Sequence, residues 1–204
     1  MPKRRTVGGL SLIGLALVAA TVTMCKGGGD GADAKHGPRC TAPSAADLSG
    51  RTVTAFDLDG RKLRCANLHG ATLQDAAIMS TDMYGADLSG AVVKAADLSQ
   101  VKLTKADLGG VILRDSSLTD VGLEHATLHG ADLRAVTFLR TDLNSADLTG
   151  ADLTGSTFDS SNLRGADLTG AKLAGVSWVN SVCPDGTKST DATCDGHMKP
   201  KPPT

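Results

Sequence analysis

From Leu48 to Trp178 every fifth residue is large and apolar, 27 positions in unbroken register, 20 of them Leu. Neither a 3.6-residue helix nor a two-residue strand alternation stays in phase with a five-residue beat for this long, so the chain must turn regularly and stack on itself as a solenoid. Two positions before most of these centres stands a small residue. It is Ala at 14 sites, among them Ala46, Ala66, Ala86, Ala106, Ala146 and Ala166, and Ser, Thr or Val at most others. Residues two apart in extended backbone point the same way, so each small-large pair faces inward and the other three places face water. Those places hold Ser, Thr, Asp, Gly and charged residues, which suit short turns. The pattern predicts an all-β chain of short extended segments joined at corners.

A second period fixes how many segments make one coil. Gly follows the centre by two at Gly50, Gly70, Gly90, Gly110, Gly130, Gly150 and Gly170, always 20 residues apart. Four pentads per coil and about seven parallel coils follow, with these glycines at one repeated corner where a positive φ is expected, as at the third position of a type II turn. The other three corners carry Ala, Asp, Lys, Ser or Arg and are expected to turn differently. In the first coil Arg51, Phe56 and Arg61 occupy small inward positions, so that coil is expected to be irregular. One inward stack ends in Phe138, Phe158 and Trp178, and three rings one coil apart should stiffen that end.

The repeats Ala86-Asp-Leu-Ser-Gly90, Ala106-Asp-Leu-Gly-Gly110, Ala146-Asp-Leu-Thr-Gly150, Ala151-Asp-Leu-Thr-Gly155 and Ala166-Asp-Leu-Thr-Gly170 resemble the pentapeptide repeat family, whose signature is Ala-(Asp/Asn)-Leu-x-x. The resemblance covers about two thirds of the chain and implies a right-handed quadrilateral parallel β-helix. It agrees with the 20-residue superperiod, which stands without it.

Outside the repeats the chain is organised by export signals and cysteines. Met1-Pro-Lys-Arg-Arg5 is basic and Thr6 to Cys25 is uncharged and mostly apolar, so residues 1–25 read as a signal peptide or membrane anchor. Val18-Ala19-Ala20 offers small residues for ordinary cleavage, while Val22-Thr23-Met24-Cys25 resembles a lipobox that would make Cys25 the lipidated first residue. Arg4-Arg5 faintly resembles a twin-arginine signal. Residues 26–43 are Gly-rich linker, 44–180 the repeat domain, 181–196 a cap and 197–204 a disordered tail. An exported chain tends to pair its cysteines. Cys183 and Cys194, just after the last pentad, should form a disulfide that covers the last coil's open edge. This stretch also resembles the Cys-Pro-Asp-Gly-Thr closure of exported bacterial pentapeptide repeat proteins. Cys40 and Cys65 are the candidates for a second bridge.

Candidate chemistry is sparse. His69 and His129 share a corner but sit three coils apart, about 14 Å at strand spacing, and His125 has no third ligand beside it, so no zinc cluster and no cofactor is expected. Asp47, Asp87, Asp107, Asp147 and Asp167 form a ladder on the Gly-cornered face that either binds cations or caps its own turns. Lys94, Arg114 and Arg134 stack on three successive coils one face on. A square coil of uninterrupted pentads has no long loop to build a catalytic pocket, so no enzyme is expected.

The sequence therefore reads as a non-catalytic rod, exported and extracellular or attached to the cell envelope, whose faces meet an unknown protein partner. Membrane contact would come only through the N-terminus. The Asp ladder (Asp87, Asp107, Asp147, Asp167) and the basic stripe (Lys94, Arg114, Arg134) are the candidate interaction surface. Some members of the resembled family imitate duplex DNA and bind type II topoisomerases, which is the alternative. Residues 44–180 carry 17 acidic and 12 basic residues, a net of −5 that is too small for such a mimic, and no nucleic acid is expected as a partner. A cation- or carbohydrate-binding face is the third reading. Tyr84 is the one candidate aromatic platform for a sugar.

Overall fold

The computed structural model describes residues 46–54, 58, 63–74, 77–189 and 193–198. The chain winds as a quadrilateral parallel solenoid of about six turns, with six strands stacked on its most regular face. Face A begins with residues 46–50 and repeats every 20 residues to 166–170. Face B repeats to 171–175, face C from the pentad centred on Leu58 to 176–180, and face D from the pentad centred on Leu63 to 181–185. Strands β1 (Thr52–Thr54) and β2 (Thr72–Gln74) pair on face B. On face C, β3 (Ala77–Met79), β4 (Asp97–Ser99), β5 (Ser117–Thr119), β6 (Thr137–Leu139), β7 (Thr157–Asp159) and β8 (Ser177–Val179) form one parallel sheet in strict 20-residue register. Face A carries single bridges from Asp47 through Asn67, Asp87, Asp107, Thr127 and Asp147 to Asp167.

Each coil is bonded to the next by its backbone. At mid-rod, Leu108 N–H donates to Thr127 C=O at 2.7 Å and Gly110 N–H to His129 C=O at 2.9 Å, while Ala106 C=O accepts from Thr127 N–H at 3.0 Å. Inside, the centres from Leu63 to Leu168 and their small partners form one continuous core. Phe138, Phe158 and Trp178 lie buried in a stack, with ring centroids 4.5 and 4.6 Å apart and planes within 10° of parallel. Volume elsewhere compensates for the rings. The small inward positions are Ala96, Val101, Ala106 and Val111 in the coil of Leu98, but Ser156, Ser161, Ala166 and Ala171 in the coil of Phe158. A close-packed interior demands that trade.

The corners agree with the sequence expectation in part. The seven repeat glycines do have positive φ, between 62° and 71°, but so does every other described corner. Thirteen non-glycine residues, among them Ala95, Lys105, Asp115, His125 and Ala135, sit at φ between 49° and 60°. The reason is geometric. A chain that must turn after every fifth residue puts a left-handed residue at each corner; after faces A and D the corner closes with an i to i+3 bond such as Val111 N–H to Leu108 C=O at 3.1 Å, whereas after face C it is an open bend without that bond. A side chain there is tolerated at a cost of about 1–2 kcal/mol. The space around Gly110 is open, so Gly110→Ala should cost about 1 kcal/mol from backbone conformation alone. Ala135→Gly should instead be neutral or stabilising, because the relieved strain offsets the added chain entropy of about 0.5–1 kcal/mol. Urea unfolding of both variants checks the pair.

Buried hydroxyls at inward positions close the corners that are spread open. Ser161 Oγ accepts the Thr141 N–H at 3.1 Å and donates to Phe138 C=O at 3.1 Å, so the hydroxyl of one coil bridges the turn below it. Ser116 does the same between Ala96 N–H and Val93 C=O, and Ser156 between Val136 N–H and Leu133 C=O. These hydroxyls are fully used, which is why polar side chains sit in the core without cost.

Cys183 and Cys194 are bonded and buried beneath the C-terminal cap. The segment after the last pentad turns back, with Val182 pairing antiparallel to Lys188 and Cys183 N–H donating to Thr187 C=O at 2.7 Å. His197 and Met198, just past the cap, also contact it. His197 Nδ1 lies 2.6 Å from Asp185 Oδ2, and Met198 packs on the core. Cys65 is also disulfide-bonded; Cys40, its expected partner, lies outside the described residues, as do Cys25, Phe56, Arg61 and the segments 1–25 and 26–43. Arg51, at a small inward position in sequence, is exposed at the start of the rod.

Candidate functional site

The parallel register places the aspartates of the predicted ladder in one row on face A, but each is held by its own turn. Asp87 Oδ1 accepts the Ser89 N–H at 2.9 Å and the Ser89 hydroxyl at 2.6 Å. Asp147 and Asp167 accept the amide and hydroxyl of Thr149 and Thr169 in the same way. Asp107 accepts only the Gly109 N–H, at 2.9 Å. The Asp-x-Ser/Thr spacing is therefore a local turn device, repeated at Asp47, Asp152 and Asp185. Among the described residues no group of three His, Cys, Asp or Glu side chains could hold a metal ion.

Two ring nitrogens join this row. His69 Nδ1 lies 2.8 Å from Ser89 Oγ and His129 Nδ1 2.7 Å from Thr149 Oγ1. Because both hydroxyls already donate to Asp87 and Asp147, they accept from the imidazoles, and each Nδ1 carries a proton. Three coils separate the two rings, so they are two separate polar points rather than a site.

The basic stripe is partly neutralised on its own face. Arg134 forks onto Asp132 through Nε and a terminal nitrogen, both at 2.9 Å, and Arg114 Nε lies 2.8 Å from the same carboxylate. Lys94, one coil below, is exposed. The Asp132 clamp was legible in the spacing Asp132-Leu-Arg134, which matches the Asp-x-Thr turn elsewhere, but the sharing of one carboxylate between coils needs the register. Face D contains a contact that the sequence did not signal. Arg64 lies 4.2 Å over the Tyr84 ring and 3.2 Å from Asp82. That cation covers the aromatic face that a sugar would need.

Electrostatics concentrate where these turns meet a cation. The Thr154 hydroxyl and amide, with Lys172, hold the Asp152 carboxyl down to about 2. The Thr187 hydroxyl and amide, with His197, do the same to Asp185 in the cap. A carboxyl whose folded pKa is lowered contributes stability that is fully present above its unfolded value of about 3.9 and is lost as pH falls through the folded value. Stability should thus decline between about pH 4 and pH 2. Asp152→Asn and Asp185→Asn should each flatten part of that decline. Denaturant midpoints across this range test it, and the effect should be modest because both groups are solvent-screened.

Comparison with known proteins agrees with this geometry. Residues 93–168 match the pentapeptide repeat region family, and residues 161–182 match the pentapeptide repeats (8 copies) family. Among solved structures, the chain is similar to HetL, a pentapeptide repeat protein involved in heterocyst differentiation regulation from the cyanobacterium Nostoc sp. strain PCC 7120. The two share 28% identity over 71% of this chain and 75% of that one, with a TM-score of 0.26. QnrB1, a plasmid-mediated fluoroquinolone resistance protein, aligns at 18% identity over 67% and 70% of the two chains, with a TM-score of 0.28. Rfr23, from the cyanobacterium Cyanothece 51142, aligns at 20% identity over 67% and 83%, with a TM-score of 0.22. No curated protein matches the chain. The two family matches overlap at residues 161–168 and together span residues 93–182, and with the five-residue beat unbroken on either side of Val93 the repeat region is that of the pentapeptide repeat family.

Proposed function

We propose that this pentapeptide repeat protein is a non-catalytic, exported rod, secreted or attached to the cell envelope, that works by presenting its side faces to a protein partner. The observation that carries the reading is the state of its cysteines. Cys65, Cys183 and Cys194 are all disulfide-bonded, and such bonds persist in oxidising compartments. The basic and apolar start of the chain, through Cys25, supports the same destination. The faces support a binding rather than a chemical role, because their acids are engaged by turns and ion pairs.

Fractionation of cells expressing the full chain, with the mature N-terminus read by sequencing, tests the destination. The expected result is a chain outside the cytoplasm that begins between Ala20 and Cys25. An intact chain confined to the cytoplasm would remove the reading.

The Asp row on face A favours a second reading, duplex DNA mimicry. Against it stand a net charge of −5 over residues 44–180 and arginines clamped to Asp132 and Asp120. A mimic must present dense, uncompensated negative charge. The full chain should leave DNA supercoiling by a type II topoisomerase unaffected in low salt, and saturable inhibition would promote the second reading over the first.

A further inference from the structure

The outward position just before each centre is polar along most of the rod, but on face B two neighbouring coils place Val92 and Ile112 there, bridged to each other and each partly exposed. Two residues farther along the same face, on the outward position after the centre, run Lys94, Arg114 and Arg134. Among the described residues the one carboxylate in contact with this row is Asp132, which two guanidinia share. Asp115 and Asp152 act on Arg134 only through space. The patch is an aliphatic pair beside a cationic row, in a segment that is otherwise net acidic.

We propose that this part of face B is a docking surface for an amphipathic helix of a partner protein. Its aliphatic row lies on Val92 and Ile112 and an adjacent acidic row lies on Lys94, Arg114 and Arg134. The inference rests on the reading of the rod as an interaction module and names the partner's chemistry. Two physical arguments select a helix along the rod axis. The rows repeat once per coil, about 4.8 Å, and a helix returns a side chain to the same side every turn, about 5.4 Å. Over the two coil steps from Lys94 to Arg134 the mismatch is only about 1 Å. An extended strand repeats every ~6.7 Å and would miss by about 4 Å over the same distance. The aliphatic pair separates such a helix from a plain polyanion, which has nothing to lay on Val92 and Ile112. Helix-in-groove recognition uses the same division of labour, apolar anchors beside charges that set register.

The test is a titration of the full chain against a labelled synthetic peptide of about five helical turns, with a Leu row beside a Glu row. Fluorescence anisotropy follows binding and circular dichroism follows helix content. Saturable binding that raises helicity and weakens with salt is expected. Arg114→Glu and Ile112→Asp should each weaken it at least tenfold, and Lys102→Ala, exposed on the opposite face D, should leave it unchanged. Ile112→Thr, which places on this row the residue already present at Thr72, should weaken it too, so a misfolded Ile112→Asp would not hide the answer. Equal binding by a scrambled peptide, by polyglutamate or by polyphosphate would overturn the proposal, as would binding that the Arg114 and Ile112 variants leave intact. Failure of the peptide to bind would sink this surface alone. The exported-rod reading would then still stand or fall on fractionation.

Discussion

Phe158→Ala should destabilise the protein by about 3–5 kcal/mol, the largest loss expected from a single side chain here. The ring is fully buried between Phe138 and Trp178, nearly parallel to both. Truncation removes two stacked contacts and leaves a cavity that strands β6 and β8 cannot collapse into, because their backbones are fixed by parallel pairing on both sides of β7. Phe158→Leu should cost less, since Leu98 and Leu118 occupy the same stack lower in the rod. Denaturant unfolding measures both. A Phe158→Ala loss no larger than that of an exposed control, Lys102→Ala, would contradict the inward stack.

Leu108→Ala should cost about 2–5 kcal/mol. Leu108 sits at the middle of the uniform Leu stack on face A, 2% exposed, with Leu88 below and Leu128 above. Its N–H is bonded to Thr127 C=O in the coil above, and the adjacent Asp107 is bonded to Ala86 C=O and Leu88 N–H in the coil below, so the site cannot relax around the missing side chain. The consequence reaches beyond one residue. In a solenoid each coil's stability depends on its neighbours, and a defect at mid-rod separates two halves that must then each hold alone. Leu108→Ala should accordingly broaden the unfolding transition, whereas a substitution in the end coils should only shift it.

The five-residue beat and its 20-residue superperiod carried the fold because both report backbone geometry directly. An inward pair per segment and one turn per five residues leave a square coil, and the register follows from counting. Glycine marks positive φ at one corner of each coil, but the left-handed residue recurs at every described corner, whatever its type. At Lys105, Asp115 or His125 the left-handed backbone is imposed by repetition and a side chain is simply tolerated, so residue type could not show it. The hydroxyls of Ser116, Ser156 and Ser161 looked like fillers of a small inward slot. That they bridge the turn below depends on a contact 20 residues away. The surface was less legible for the same reason. Asp87 and Asp147 as turn caps follow from a two-residue spacing, while the clamp of Arg114 and Arg134 on Asp132 joins two coils and becomes visible only once they are stacked. The outward pair Val92 and Ile112 fits the sequence pattern as ordinary β-branched strand residues, and its place beside the cationic row is likewise a product of the register.

An oxidised rod working outside the cytoplasm, as we propose, would keep its disulfides in the native protein, and peptide mapping under non-reducing conditions reads them. Protein recovered from the medium or envelope fraction, alkylated before digestion, should yield a Cys183–Cys194 linked peptide and Cys65 protected from alkylation. Reduction before alkylation should release all three. Recovery of the chain from the cytoplasm with Cys65, Cys183 and Cys194 alkylated as free thiols would contradict the account.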